Sequence, residues 1–95
     1  MKILLVDDEL LARERLRHLL KDLQDCEVIG EAVNGKDALE KTQQLKPDLL
    51  LMDIRMPGMD GLEAARHLDQ MEQPPMVIFT TAYNEYALEA FDVQA

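Results

Sequence analysis

Apolar and polar positions along this chain follow two alternating rhythms. "KILLV", residues 2–6, is a short continuous apolar run, the pattern of a strand buried on both faces. "ELLARERLRHLLKDL" follows, with Ala12, Leu16, Leu19, Leu20 and Leu23 on one helical stripe and Arg13, Glu14, Arg17 and Lys21 off it. Glu9 and Arg13 stand four residues apart, which predicts a favourable pair on that helix. "EVIGEA" predicts a second strand, and Asn34-Gly35 a turn after it. "KDALEKTQQLK" carries a weaker stripe of Ala38, Leu39, Thr42 and Leu45 and is ended by Pro47. "DLLLM" reads as a third strand, followed by the broken loop "RMPGMDG". Asp60 with Glu63 three residues later resembles a capping box, so a helix should start near Gly61 with Leu62, Ala65 and Leu68 inward. Pro74-Pro75 interrupt the chain before "MVIFT", the fourth strand, and "NEYALEAF" predicts a last short helix with Ala87, Ala90 and Phe91 on one side.

The sum is βαβαβαβα, an α/β chain with a parallel sheet and helices on both faces. Ninety-five residues, 47% of them hydrophobic, hold one modest core and one domain, and they exclude wholesale disorder. Nineteen acids against ten bases give a formal charge of −9, a balance that repels phosphate backbones and sets nucleic-acid binding by this segment alone aside. Cys26 is the single cysteine, so no disulfide framework is expected, and the longest apolar runs are far too short to cross a bilayer. No membrane association and a cytoplasmic location are expected. Tryptophan is absent, which argues against a stacking platform for single strands.

The candidate chemistry lies where the apolar runs stop. "ILLV" ends on Asp7 and Asp8, and "LLLM" ends on Asp53. In a flavodoxin-like sheet, with strand order 2-1-3-4, strands 1 and 3 are neighbours, and ligands bind beyond their carboxyl ends at the switch point. The three acids therefore share one crevice. Carboxylates that close repel, and hard oxygen ligands with room for water and a phosphate suit Mg²⁺. Such an ion would bind Asp8 and Asp53 and lower the repulsion between a carboxylate nucleophile and an anionic phosphoryl group. Thr80 and Thr81 end the fourth strand, and either could hydrogen-bond a phosphoryl oxygen. Each feature alone has an ordinary explanation. Acids favour a helix N-terminus, Pro57-Gly58 is a turn, and threonine is a β-branched strand residue. Their combination at the ends of strands 1, 3 and 4 is what points to a site.

These pieces, "ILLVDDE", "LLLMDIRMPGMDGLE" and "VIFTTAY", resemble the receiver domains of two-component response regulators. "ARERLRHLL" and "TAYNEYALEAFDVQA" are more particularly similar to the receivers that precede LytTR-type DNA-binding domains. The resemblance implies a phosphorelay signalling module rather than a turnover enzyme, one that promotes its own phosphorylation and dephosphorylation. Its partner would be a sensor histidine kinase and its output transcription regulation. It implies Asp53 as phosphoacceptor, Asp8 as direct magnesium ligand, Asp7 as a ligand through water, and the backbone carbonyl of Arg55 as a further ligand. Thr81 would be the switch hydroxyl, and Arg55 and Tyr83 would modulate the lifetime of the phosphoryl group.

The family continues past "FDVQA" with a fifth strand, a lysine that contacts the phosphoryl group, and a fifth helix. Residues 1–95 thus read as the N-terminal portion of a receiver, cut before strand 5. Strand 4 is then an edge, open to homodimer formation by pairing or exchange. The leading alternative is a magnesium-dependent phosphatase with an aspartyl-phosphate intermediate. Such enzymes carry a second acid two residues after the nucleophile, where this chain has Arg55. A flavin carrier would want a glycine- and hydroxyl-rich loop instead of "DDELLA", and a plain interaction module would need no site at all. Cys26 is expected to be partly buried, His18 and His67 to be surface residues, and the six methionines to be core filler.

Overall fold

Each apolar run of the sequence becomes a strand of one sheet. The structure, a computed structural model, describes residues 1–80. In chain order these form β1 (Lys2–Val6), α1 (Leu10–Leu20), β2 (Glu27–Ala32), α2 (Gly35–Leu45), β3 (Leu49–Met52), α3 (Gly61–Asp69) and β4 (Met76–Phe79). All pairings are parallel and the order is β2-β1-β3-β4, as the alternation predicts. The helix expected over "NEYALEAF" lies outside the described residues.

Burial explains the unbroken apolar runs. On one face Leu4, Val6, Leu50, Met52 and Val77 pack with Ala38 of α2 and Ala64, Ala65 and Leu68 of α3. On the other face Ile3, Leu5 and Leu49 pack with Leu16 and Leu20 of α1, Cys26, Val28 and Leu51. Central strands covered on both sides have no solvent face, so their side chains need not alternate in polarity.

α1 departs from its expected stripe. Leu16 and Leu20 turn to the sheet, but Leu19 and Leu23 are 64% and 51% exposed. The helix lies over β1 and β2. Among the described residues nothing covers Leu19, Leu23 or the β4 side chain of Ile78. The Glu9–Arg13 side-chain pair is also replaced. Arg13 Nε donates to Glu31 Oε1 of β2 at 2.7 Å, and Glu31 takes Arg17 as well. A partly enclosed bidentate carboxylate outcompetes an exposed neighbour on the same helix.

A register shift in β2 makes that pairing geometrically available. Ile3 pairs with Val28 but Leu4 with Gly30, leaving Ile29 as the extra residue. Val28 and Glu31 are an odd number of residues apart and would otherwise face opposite sides. The bulge restores them to one side, so Val28 enters the α1 face of the core and Glu31 meets α1.

Asn34-Gly35, read as a turn, instead opens α2. The Asn34 side chain accepts from the Asp37 amide at 2.8 Å, an N-cap. Gly35 follows because an added Cβ there would lie 2.6 Å from the Met59 carbonyl oxygen. α2 closes with Lys46 in the left-handed region (φ 52°), its N–H returning to the Thr42 carbonyl at 2.9 Å. The methionines divide: Met52 and Met56 are buried, whereas Met1 and Met76 are 55% and 61% exposed. Cys26 is half-buried, and His18 and His67 lie on the surface.

Leu50 is fully buried in the central strand. Leu50→Ala should therefore lower the unfolding free energy by about 2–5 kcal/mol. Leu19→Ala, on the open side of α1, should change it by about 0.5 kcal/mol or less. Urea unfolding followed by circular dichroism checks both.

Candidate functional site

Strand register brings the acids together. β1 and β3 run side by side with Val6 opposite Met52, so the next residue of each strand leaves the sheet at the same level. The Asp53 amide donates to the Val6 carbonyl at 2.9 Å, and the Asp7 amide donates to the Ala32 carbonyl at 3.1 Å. Asp7, Asp8 and Asp53 each place a carboxylate oxygen within 4.8 Å of the others. They lie beyond the carboxyl ends of the two strands where strand order reverses, which is where open parallel sheets bind ligands.

The three differ in burial. Asp7 is buried, Asp53 half-buried and Asp8 exposed. Burial, more than anything else, pushes the Asp7 carboxyl above the usual carboxylate range, and its neighbour Asp8 adds to this. The Glu9 amide, donating to Asp7 Oδ1 at 2.9 Å, pulls the other way. Asp53 is raised for the same first reason, with the Asp7 charge next, against hydrogen bonds from the Arg55 and Ile54 amides. Both shifts come first from burial, and the repulsion between the neighbouring acids adds to it. A divalent cation with oxygen ligands would relieve it, so the donor set fits Mg²⁺.

The loop after Asp53 is packed against two helix starts. The Gly61 amide donates to the Ile54 carbonyl at 2.7 Å, and a Cβ on Gly61 would lie 2.2 Å from the Asp53 carbonyl oxygen. Only glycine lets α3 begin this close to the acid. Asp60 caps α3 by accepting from the Glu63 amide at 2.8 Å, as the sequence pattern predicts. Met59 gives its carbonyl to the Gly35 amide at the start of α2. Arg55 has an exposed side chain beside a depression of about 390 Å³ lined also by Ile54, Met56, Pro57 and Asp60. Thr80 follows β4 directly, its amide donating to the Met52 carbonyl at 3.0 Å. Thr81 and Tyr83 lie outside the described residues.

The sequence reading missed Arg13 and Glu31 as neighbours of the site. Besides its bond to Glu31, Arg13 donates from Nη1 to the Asp7 backbone carbonyl at 2.7 Å. The available signal was a charged residue, Glu31, inside an otherwise apolar strand.

The family model described as the response regulator receiver domain matches residues 3–95. The chain belongs to that family. Among curated relatives, the positive alginate biosynthesis regulatory protein of Pseudomonas aeruginosa is 54% identical over 96 residues, covering 100% of this chain and 39% of that protein. The sensory transduction protein LytT of Bacillus cereus is 46% identical over 95 residues, with the same two coverages. The chain thus spans about two fifths of these relatives' length. Among solved structures, the response regulatory domain of mrkE from Klebsiella pneumoniae superposes with a TM-score of 0.91 at 36% identity, covering 100% of this chain and 78% of that one. The response regulator domain of CheB from Thermotoga maritima gives 0.89 at 33% identity, covering 100% and 73%. The fold is the flavodoxin-like sheet of these receivers. Among the described residues no helix is long and apolar enough to cross a membrane.

Raised carboxyls set the sign of a pH effect. A carboxyl whose folded value lies above its unfolded one favours the fold while protonated, and that contribution is lost as pH rises through the folded value. With magnesium removed by EDTA, Asp53→Asn should melt a few degrees above the parent receiver at pH 7. The gap should close as pH falls below about 4, where the unfolded aspartate is also protonated. Adding Mg²⁺ should raise the melting temperature of the parent and leave the variant nearly unchanged. Thermal scans at several pH values check this.

Proposed function

We propose that this receiver takes a phosphoryl group onto Asp53 from the phosphohistidine of a sensor histidine kinase. The observation that carries the reading is the convergence of Asp7, Asp8 and Asp53 at the switch point, with Asp53 held at its backbone by Val6 and Gly61 packed on its carbonyl. Asp8, Asp53 and the Arg55 backbone carbonyl would hold Mg²⁺ directly and Asp7 through water. When bound, the ion offsets the charge of the three acids and of the incoming phosphoryl oxygens. Asp53 then supplies an oxygen that attacks phosphorus. The new P–O bond forms as the P–N bond breaks, and the leaving imidazole keeps the electron pair and takes a proton from solvent. The Ile54 and Arg55 amides hold the Asp53 carboxylate in place for that attack.

Thr81 is assigned the switch hydroxyl, turning toward the phosphoryl group and biasing a two-state element that includes the segment after β4. Residues 1–95 are assigned to the N-terminal portion of a receiver domain. In a protein of the relatives' length, the output would be a DNA-binding domain acting in transcription in the cytoplasm.

The deciding experiment is intact mass after incubation with acetyl phosphate and Mg²⁺. One phosphoryl group should add to the parent and none to Asp53→Asn. A gain retained by the variant would move the acceptor elsewhere. Arg55 and Tyr83 are assigned to slow hydrolysis by bulk. Replacing both with alanine should shorten the lifetime of the phosphoryl group several-fold, read by the decay of the same mass shift. An unchanged lifetime removes that role.

A further inference from the structure

Arg13 reaches from α1 to both β2 and the residue that follows β1. Its Nε and the Arg17 guanidinium grip the two Glu31 oxygens from successive turns of α1, at 2.7 Å each. Its Nη1 reaches the Asp7 carbonyl at 2.7 Å. The arginine side chain is only 12% exposed, against 48% for Arg17. The Glu31 backbone carbonyl in turn accepts from Lys41 of α2, so the carboxylate that anchors Arg13 sits on a strand held from both faces.

The Asp7 carbonyl is a special acceptor. The Val6 carbonyl is taken by the Asp53 amide, and the Asp7 amide by the Ala32 carbonyl. The Asp7 carbonyl lies past the last paired residue, Val6, so the strand ladder does not reach it. It belongs to the peptide that joins Asp7 to Asp8. Fixing that carbonyl fixes the plane of this peptide and with it the directions in which both side chains leave the backbone. The Glu9 amide on Asp7 Oδ1 holds the same turn from the other side.

The geometry points to Arg13 as a positioning residue for the metal centre: anchored by Glu31, it sets the Asp7–Asp8 peptide and so the affinity of the acids for Mg²⁺. This rests on the receiver reading above. It is opposed by charge, because a cation beside three acids weakens their pull on another cation. Removing the charge alone should therefore tighten magnesium binding, whereas loosening the peptide should weaken it. Arg13→Lys separates the two. It keeps the charge but loses the planar fork that spans Glu31 and the Asp7 carbonyl together.

The test is the Mg²⁺ dissociation constant by isothermal titration calorimetry, with backbone amide hydrogen exchange in EDTA. Arg13→Lys should weaken binding roughly tenfold, at the lower end of what residues supporting metal ligands typically contribute. It should also speed exchange at the Glu9 amide. Arg17→Ala, which removes the other partner of Glu31 without touching Asp7, should stay within about twofold and leave that amide protected. If Arg13→Lys does not fold, Arg13→Met carries the test: it removes the fork together with the opposing charge, so weaker binding supports the inference and unchanged or tighter binding overturns it. Unchanged or tighter binding in Arg13→Lys overturns the inference, as does an equal loss in Arg17→Ala, which would mark the network as general stability. A parent receiver that binds no Mg²⁺ would instead overturn the receiver reading, and the role of Arg13 with it.

Discussion

Three carboxylates are held within 4.8 Å of one another because β1 and β3 pair in one register. The pairing cannot be relaxed without breaking the sheet, so the backbones of Asp7 and Asp53 stay side by side. Val6 and Met52 are buried opposite each other, and the residues that follow them are therefore neighbours by covalent geometry. Slipping β1 against β3 by one residue would turn Leu4 and Val6 out of the core formed with α2 and α3. The apolar core thus maintains an electrostatic conflict that the acids would otherwise escape by moving apart. The bare fold relieves that conflict only in part, through amides at Glu9, Ile54 and Arg55. Three carboxylate oxygens this close form a donor set that fits a divalent cation.

The surroundings treat the acids unequally. Asp53 has packed backbone on both sides, Val6 before it and the start of α3 behind it, so closely that residue 61 has no room for a Cβ. Met59 ties the same loop to the start of α2. Asp8 is exposed. A fixed carboxylate beside an accessible one is the arrangement that the proposed in-line transfer would need: the nucleophile must already point at phosphorus, while the cation and the donor must be able to enter.

Much of this was legible in the sequence because the relevant signals are strong and local. Central parallel strands are buried on both faces and read as continuous apolar runs, so β1 and β3 and the acids at their ends could be placed directly. Asp60 and Glu63 announced the start of α3 because capping depends on residues three apart. Asn34 was ambiguous for a physical reason. The side-chain carbonyl that favours a turn also caps a helix, and only the approach of Met59 to Gly35 decides between them. The stripe of α1 misled because periodicity says which residues share a face and not which face has a neighbour. Leu19 shares a side with Leu16 and Leu20 yet lies outside the described packing. The pairing of Arg13 had no sequence signal beyond the charge of Glu31 inside β2. It depends on the extra residue at Ile29, which reverses the parity of β2 and carries Glu31 to the α1 side. A bulge of that kind leaves no mark in "EVIGEA" beyond the glycine beside it.

The bulge, the clamp and the acids therefore form one chain of cause. Hydrophobic burial is non-directional and can place a strand end to within its register, but it cannot orient the first peptide beyond the last ladder hydrogen bond. Orientation there requires a directional group reaching from another element. In this fold the donor comes from α1, and its own direction is set by a carboxylate that β2 presents only because its register shifts. An arginine beside three acids looks at first like a plain counter-charge. Its hydrogen bond goes to a backbone carbonyl rather than to a carboxylate of the cluster. The arginine takes hold of the peptide between two of the acids.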